Sequence, residues 1–150
     1  GLGDARTKEN LAARYRAAGA LDTGIFGTPV LLEQLFAQGQ ADLALRLMTA
    51  GPTSFGHMME AGATTLWESW DGHASHSHPM FGSVVKLLFT EILGIRQREG
   101  SCGFADYFLE PAAPARLRWA EGSVRTVAGT ISVRWSRRED GGLEIVRHCL

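Results

Sequence analysis

The chain has 150 residues and a mass of 16.3 kDa, which suits one domain or two small ones. Lysine and arginine number 15 against 16 aspartates and glutamates, so a net charge of −1 provides no basic face for nucleic acid. No apolar run approaches the ~20 residues that a membrane-spanning helix needs. Two cysteines are too few for a disulfide scaffold. The composition therefore excludes a membrane protein, a disordered tail and a small disulfide-stabilised protein.

Helical periodicity dominates the first two-thirds of the chain. Start and stop signals predict four helices, over residues 7–19, 28–39, 41–50 and 79–93. In the first two helices we expect the hydroxyl groups of Thr7 and Thr28 to act as caps. The last helix is the most apolar, and Gly94 follows it. Residues 51–79 are rich in Gly, Ser, Thr and His, which is typical of irregular loops that carry functional groups.

After Gly94 the pattern changes to that of β-strands. Apolar and polar residues alternate over 116–119 and again over 130–135, a period of two that predicts half-buried strands. The sequence DGG at 140–142 predicts a turn, and residues 143–146 form the predicted return strand. The fold class that we predict is mainly α with a β-rich tail.

Two parts follow from this change of pattern. We expect one part over residues 1–97 and the other over residues 98–150. Neither part can bury its apolar surface alone, because the apolar helix needs neighbours on more than one side and the strands need a partner sheet. The chain also begins without Met and ends inside a strand-like stretch, so we expect a piece of a longer protein.

The most informative segment for function is GATTLWESWD at 62–71. Glu68 is flanked by Trp67 and Trp70, which places a carboxylate beside indole faces that suit the apolar face of a sugar. Such a carboxylate is a candidate general acid or base. The alternative is a loop glutamate whose neighbouring tryptophans belong to the core. Glu60, eight residues earlier, could complete a pair of carboxylates.

The histidines in SHSHPMFG at 75–82 and nearby allow other interpretations. His73, His76 and His78 lie within six residues and could hold zinc, although their spacing matches no structural zinc site. His78 precedes a predicted helix start, where the helix dipole disfavours the charged imidazolium and leaves a neutral hydrogen-bonding ring. The nearby serines could be nucleophiles, but the nucleophile-elbow pattern is absent.

Five motifs in one order resemble a known family. They are LDTGIFGT at 21–28, LLE at 31–33, SFG at 54–56, GATTLWESW at 62–70 and HPMFGS at 78–83. Together they are similar to the C-terminal part of bacterial and fungal α-L-rhamnosidases, and the resemblance extends over roughly residues 5–146. It implies the last helices of an (α/α)6 toroid followed by part of a C-terminal β-sandwich.

The resemblance also implies a reaction and roles for four residues. The family hydrolyses terminal α-L-rhamnosides with inversion, and Glu68 matches its general base. His78 matches a histidine that contacts rhamnose, while Trp67 and Trp70 match aromatic positions around the base, in wall or packing roles. The family's general acid lies in earlier helices that this chain lacks. We therefore expect the chain alone to be inactive.

The partners that we expect are a rhamnose-containing glycoside or oligosaccharide and the upstream part of the parent chain. We expect no metal and no other cofactor, and no interaction with nucleic acid or a membrane. The cellular compartment is not specified by the sequence. The alternative function is a non-catalytic carbohydrate-binding module on the same scaffold.

Overall fold

The computed structural model describes residues 4–149. These residues divide into two compact units, one that ends at Val84 and one that begins at Val85. The first unit is helical, and the second contains two small antiparallel sheets. No helix within residues 4–149 combines the length and the apolar character that crossing a membrane requires. The predicted change from helices to strands is confirmed.

The first unit contains four α-helices. They are α1 (Ala5–Ala18), α2 (Gly27–Ala37), α3 (Ala41–Thr49) and α4 (Phe55–Glu60). Helices α2 and α3 bury the most apolar side chains of this unit, and Leu32, Leu35 and Leu47 are fully buried. The first three helices confirm the prediction from periodicity, and α4 lies within the stretch expected to be irregular.

The prediction that the hydroxyl groups of Thr7 and Thr28 cap the first two helices is wrong. The cap of α1 is Asp4, whose carboxylate accepts a hydrogen bond from the backbone N–H of Thr7 at 2.8 Å. Asp4 is a good cap because its side-chain oxygen satisfies an N–H that has no partner inside the helix. Thr28 lies inside α2 and is fully buried, and its hydroxyl is hydrogen-bonded to that of Thr23 at 2.8 Å. Thr28 therefore ties the start of α2 to the preceding loop.

The predicted helix over 79–93 is not a continuous α-helix. The chain forms a 3₁₀ helix at Pro79–Val84, one α-helical turn, α5, at Val85–Leu87 and a π-helix at Leu88–Ile92. Within the 3₁₀ segment, the buried side chains of Phe81 and Val84 are three residues apart. A 3₁₀ helix has three residues per turn and keeps such positions on one face.

The second unit contains five strands in two sheets. Strands β1 (Ile95–Gln97) and β2 (Tyr107–Leu109) pair antiparallel in the smaller sheet, which the sequence pattern did not predict. The larger sheet has the order β3 (Trp119–Thr126), β4 (Gly129–Arg137) and β5 (Leu143–Cys149). Strands β4 and β5 confirm the predicted hairpin around the DGG turn.

One face of β4 forms the core of this unit. Ile131, Val133 and Trp135 are buried, as their alternation predicted, and Ile131 and Val133 share a cluster with Leu93 and Ile95. The indole N–H of Trp135 donates a hydrogen bond to the backbone carbonyl of Ile92 at 2.7 Å. The central strand is therefore tied to the end of the π-helix by both apolar packing and a buried hydrogen bond.

The sharp turn at Gly94 generates a stability prediction. Gly94 has φ +75°, and a Cβ atom there would lie 2.2 Å from the backbone nitrogen of Pro111. Gly100 has a similar φ of +80° but open space around it. We expect Gly100→Ala to lower the free energy of unfolding by about 1 kcal/mol, and Gly94→Ala by roughly 3 kcal/mol or more because steric overlap adds to backbone strain. Thermal unfolding of the two variants measures the difference, and equal shifts would contradict it.

Candidate functional site

The first unit contains an open cleft of about 450 Å³. Three acidic residues line it, Asp22, Glu68 and Asp71, together with the aromatic residues Trp70 and Phe81. Carboxylate oxygens accept hydrogen bonds from hydroxyl groups, and the half-buried ring of Trp70 provides apolar surface, whereas Phe81 is fully buried against it. The cleft is therefore chemically suited to a neutral, hydroxyl-rich ligand and poorly suited to an anion.

Glu68 is half-buried and is held by the backbone of its own loop. Its backbone N–H donates to the carbonyl of Ser75 at 2.8 Å, and the N–H of Ser75 donates to Oε2 of Glu68 at 3.4 Å. The loop that spans residues 62–78 thus folds back on itself at Glu68. The backbone hydrogen bond fixes where the backbone of Glu68 lies, and the longer contact joins its carboxylate to the backbone of Ser75.

His78 lies on the same folded loop as Glu68, but it is not among the residues that line the cleft. Its backbone N–H donates to the carbonyl of Leu66 at 2.8 Å. Nδ1 of His78 is buried and has no hydrogen-bond partner among residues 4–149. Because the segment after His78 is a 3₁₀ helix of six residues, the argument from an α-helix dipole does not apply to this ring.

The two tryptophans that flank Glu68 occupy different environments. Trp67 is 9% exposed and packs in a cluster with Met58 and Phe81. Trp70 is half-buried and lines the cleft, and its indole N–H donates to the backbone carbonyl of Thr23 at 2.8 Å. Trp70 therefore forms part of the cleft wall, while Trp67 supports the loop from inside the unit.

Aromatic packing fixes the wall of the cleft. The ring of Trp70 lies 4.3 Å from that of Phe81 and 5.2 Å from that of Phe55, measured between centroids. Phe55 and Phe81 meet edge to face at 5.5 Å. Aromatic contacts at these distances are favourable by about 0.5–1.5 kcal/mol each beyond the area that they bury. Three elements, α4, the loop and the 3₁₀ helix, are joined at this point.

The three clustered histidines are engaged separately rather than converging on one point. His73 pairs with the exposed carboxylate of Asp71 at 3.1 Å, and His76 stacks on Trp67. Within the part of the chain that the structure describes, no three His, Cys, Asp or Glu side chains are placed to hold a metal ion. The geometry gives the zinc interpretation no support.

Asp22 is a site residue that the sequence pattern did not single out. The hydroxyl of Tyr15 and the guanidinium of Arg14, both on α1, donate hydrogen bonds to its carboxylate. The hydrogen bond from Tyr15 lowers the pKa of Asp22, and burial followed by that bond raises the pKa of Tyr15 to about 12. Only the tertiary structure brings this aspartate to the cleft that contains Glu68.

Asp71 lines the cleft and is ionised at neutral pH. The hydroxyl of Ser69 donates to its Oδ1 at 2.7 Å, and the backbone N–H of His73 donates to the same atom at 3.1 Å. The Ser69 hydrogen bond first, and then those from His73, lower the pKa of Asp71 to about 2.

Two family models match the chain in succession. The model described as the bacterial alpha-L-rhamnosidase 6 hairpin glycosidase domain matches residues 2–92. The model described as the bacterial alpha-L-rhamnosidase C-terminal domain matches residues 94–146. The two matches adjoin near Gly94, where the sequence pattern changes from helical to alternating.

Curated relatives and solved structures agree with these matches. Alpha-L-rhamnosidases from Alteromonas sp. (strain LOR) and Streptomyces avermitilis are each 31% identical to 81% of this chain, which spans 14% and 13% of their length. The crystal structure of the Streptomyces avermitilis alpha-L-rhamnosidase complexed with L-rhamnose matches 93% of this chain with a TM-score of 0.82 and 30% identity. The structure of the alpha-L-rhamnosidase from Dictyoglumus thermophilum matches 83% with a TM-score of 0.71 and 35% identity. The chain covers 15% and 14% of those two structures.

The carboxylate of Asp71 provides a pH-dependent prediction. Ser69→Ala removes the largest cause of its low pKa, so we expect this pKa to rise from about 2 toward the ordinary value of 3.8. Because the folded-state pKa lies below the unfolded one, the associated stabilisation is present above about pH 4 and is lost as the pH falls toward 2. An NMR titration of the Asp71 carboxyl carbon measures the change.

Ser77→Ala is the matched control, because the Ser77 side chain has no contact with Asp71. It should leave the titration of Asp71 as in the unaltered chain. If Ser69→Ala also left the titration unchanged, the assigned hydrogen bond would be wrong.

Proposed function

Because this chain belongs to the bacterial α-L-rhamnosidase family, we propose that it is part of a longer inverting glycoside hydrolase that releases terminal α-L-rhamnose. The chain spans 13–15% of the relatives quoted above, so this activity is proposed for the parent protein. We assign residues 1–97 to the last helices of an (α/α)6 toroid and residues 98–150 to part of a β-sandwich. The order of the two family matches supports this assignment.

Glu68 is the general base in this proposal. The observation that carries the assignment is its carboxylate, which lines an aromatic-walled cleft and is oriented by the N–H of Ser75. In inverting hydrolysis, the base takes a proton from water as the water oxygen attacks the anomeric carbon from the face opposite the leaving group. The bond from that carbon to the leaving oxygen breaks at the same time, and a second carboxyl group protonates that oxygen.

His78, Trp70 and Trp67 have supporting roles. The unpaired, buried Nδ1 of His78 favours a hydrogen-bond partner outside residues 4–149, and a hydroxyl group of rhamnose has the required chemistry. Trp70 offers its half-buried indole as part of the sugar-binding wall. Trp67, at 9% exposure, packs behind the loop that presents Glu68.

The general acid comes from a part of the parent protein outside this chain. Asp22 and Asp71 share the cleft with Glu68, but hydrogen bonds lower the pKa of both, so both are ionised near neutral pH. A general acid must instead hold its proton at the working pH. The chain on its own is therefore inactive in this proposal. The reaction uses water and needs no cofactor.

The test uses the parent protein and the variant Glu68→Gln. Glutamine keeps the size of the side chain but cannot accept a proton from water, so we expect turnover of a chromogenic α-L-rhamnoside to fall by about 10²–10⁴-fold. NMR of the fresh product should show inverted anomeric configuration. Glu60→Gln is the matched control, since Glu60 is exposed at the end of α4, and it should retain full activity.

Two outcomes would contradict the proposal. Full activity of Glu68→Gln would remove Glu68 from the chemistry. A parent protein that binds rhamnose without hydrolysing rhamnosides would favour the carbohydrate-binding module instead.

A further inference from the structure

His76 has a place in the structure that the proposed reaction does not explain. Its imidazole ring stacks on the indole of Trp67, with the ring centroids 4.7 Å apart and the planes 18° from parallel. The indole is almost fully buried, whereas His76 is exposed. The imidazole ring therefore covers a core tryptophan at the surface of the unit.

Two polar contacts also hold His76 in place. Nε2 of its ring donates a hydrogen bond to the backbone carbonyl of Gly72 at 2.7 Å, and its own carbonyl accepts one from the hydroxyl of Thr65. Gly72 has φ +70°, and a Cβ atom there would lie 3.0 Å from the indole of Trp67. The close packing of His76, Gly72 and Trp67 thus depends on glycine at position 72.

These contacts act on Glu68 through the adjacent residue. Ser75 precedes His76, and its backbone makes two contacts with Glu68. The N–H of Ser75 donates to Oε2 of Glu68 at 3.4 Å, and the carbonyl of Ser75 accepts from the N–H of Glu68 at 2.8 Å. We propose that His76 is a positioning residue, whose stacking on Trp67 and hydrogen bond to Gly72 hold Ser75 where it orients the carboxylate of Glu68. This inference rests on the proposed role of Glu68 as the base.

A role as a metal ligand is less consistent with the geometry. Nε2 of His76 is engaged with a carbonyl oxygen, and the described residues offer no group of three ligating side chains around it. Positioning has a large effect in catalysis, since a displacement of about 1 Å of a reacting group can reduce the rate about 10²-fold. A small displacement of Ser75, passed on to Glu68, can therefore lower the rate of turnover.

The experiment compares three variants in the parent protein. His76→Ala removes the ring, and we expect kcat to fall about 10- to 100-fold with KM changed less than about threefold. His76→Phe keeps an aromatic ring on Trp67 and should restore most of kcat. Ser77→Ala is the matched control, because Ser77 lies on the same loop and, within residues 4–149, only its backbone forms hydrogen bonds, so this variant should keep the kcat of the unaltered protein.

Hydrogen–deuterium exchange of peptides from residues 62–78 provides a readout that needs no activity. We expect faster exchange of the Glu68 and His78 amides in His76→Ala, with the rest of the protein unchanged. Gly72→Ala adds a methyl group that would press on the indole of Trp67, and it should give the same local change if His76→Ala is poorly folded.

The outcomes separate this inference from the proposed function. If Glu68→Gln is inactive while His76→Ala keeps a normal kcat and normal exchange, the positioning role is overturned. If Glu68→Gln is fully active, the proposed function fails. Loss of kcat in His76→Ala that phenylalanine does not restore would also overturn the stacking part of the proposal.

Discussion

The candidate site depends on a loop that is held by its own backbone. Residues 62–78 contain no helix or strand, yet the pairing of Glu68 with Ser75 and of His78 with Leu66 gives this segment a defined shape. Buried backbone groups need hydrogen-bond partners, and this loop supplies them internally. Within that pairing, the carboxylate of Glu68 contacts the backbone N–H of Ser75.

Aromatic packing then attaches the loop to the helices. Trp67 points into the unit and Trp70 lines the cleft, so neighbouring positions of one motif serve two purposes. Phe81, from the 3₁₀ helix, and Phe55, from α4, complete the contact. The 3₁₀ helix contributes to this packing, because its three residues per turn keep Phe81 and Val84 on one face.

Hydrogen bonds set the charge state of two carboxylates in the cleft. Asp22 and Asp71 accept strong hydrogen bonds from neighbouring groups, which lower the pKa of each. They are suited to accept hydrogen bonds from sugar hydroxyl groups and unsuited to donate a proton. The proposed division of labour, with a base in this chain and an acid elsewhere in the parent protein, is consistent with that pattern.

The sequence by itself determined the elements with a strong period and the motifs with a fixed order. Alternation predicted the buried residues of β4, apolar spacing predicted α1 to α3, and five short motifs predicted the family. These features are local, since each depends on residues close together along the chain. Glu68 was singled out in the same way, from the tryptophans on either side of it, and its role stays a prediction.

Only the tertiary structure decided which side chains meet in space. Three contacts join residues whose local sequence patterns carry no signal of contact. They are the hydrogen bond between Tyr15 and Asp22, the stacking of His76 on Trp67 and the pairing of β1 with β2. The break of the 79–93 helix into 3₁₀, α and π turns also depended on packing, because apolar composition alone favours a regular helix there. Periodicity records which face of an element is buried, whereas the partner on that face is set by the whole fold.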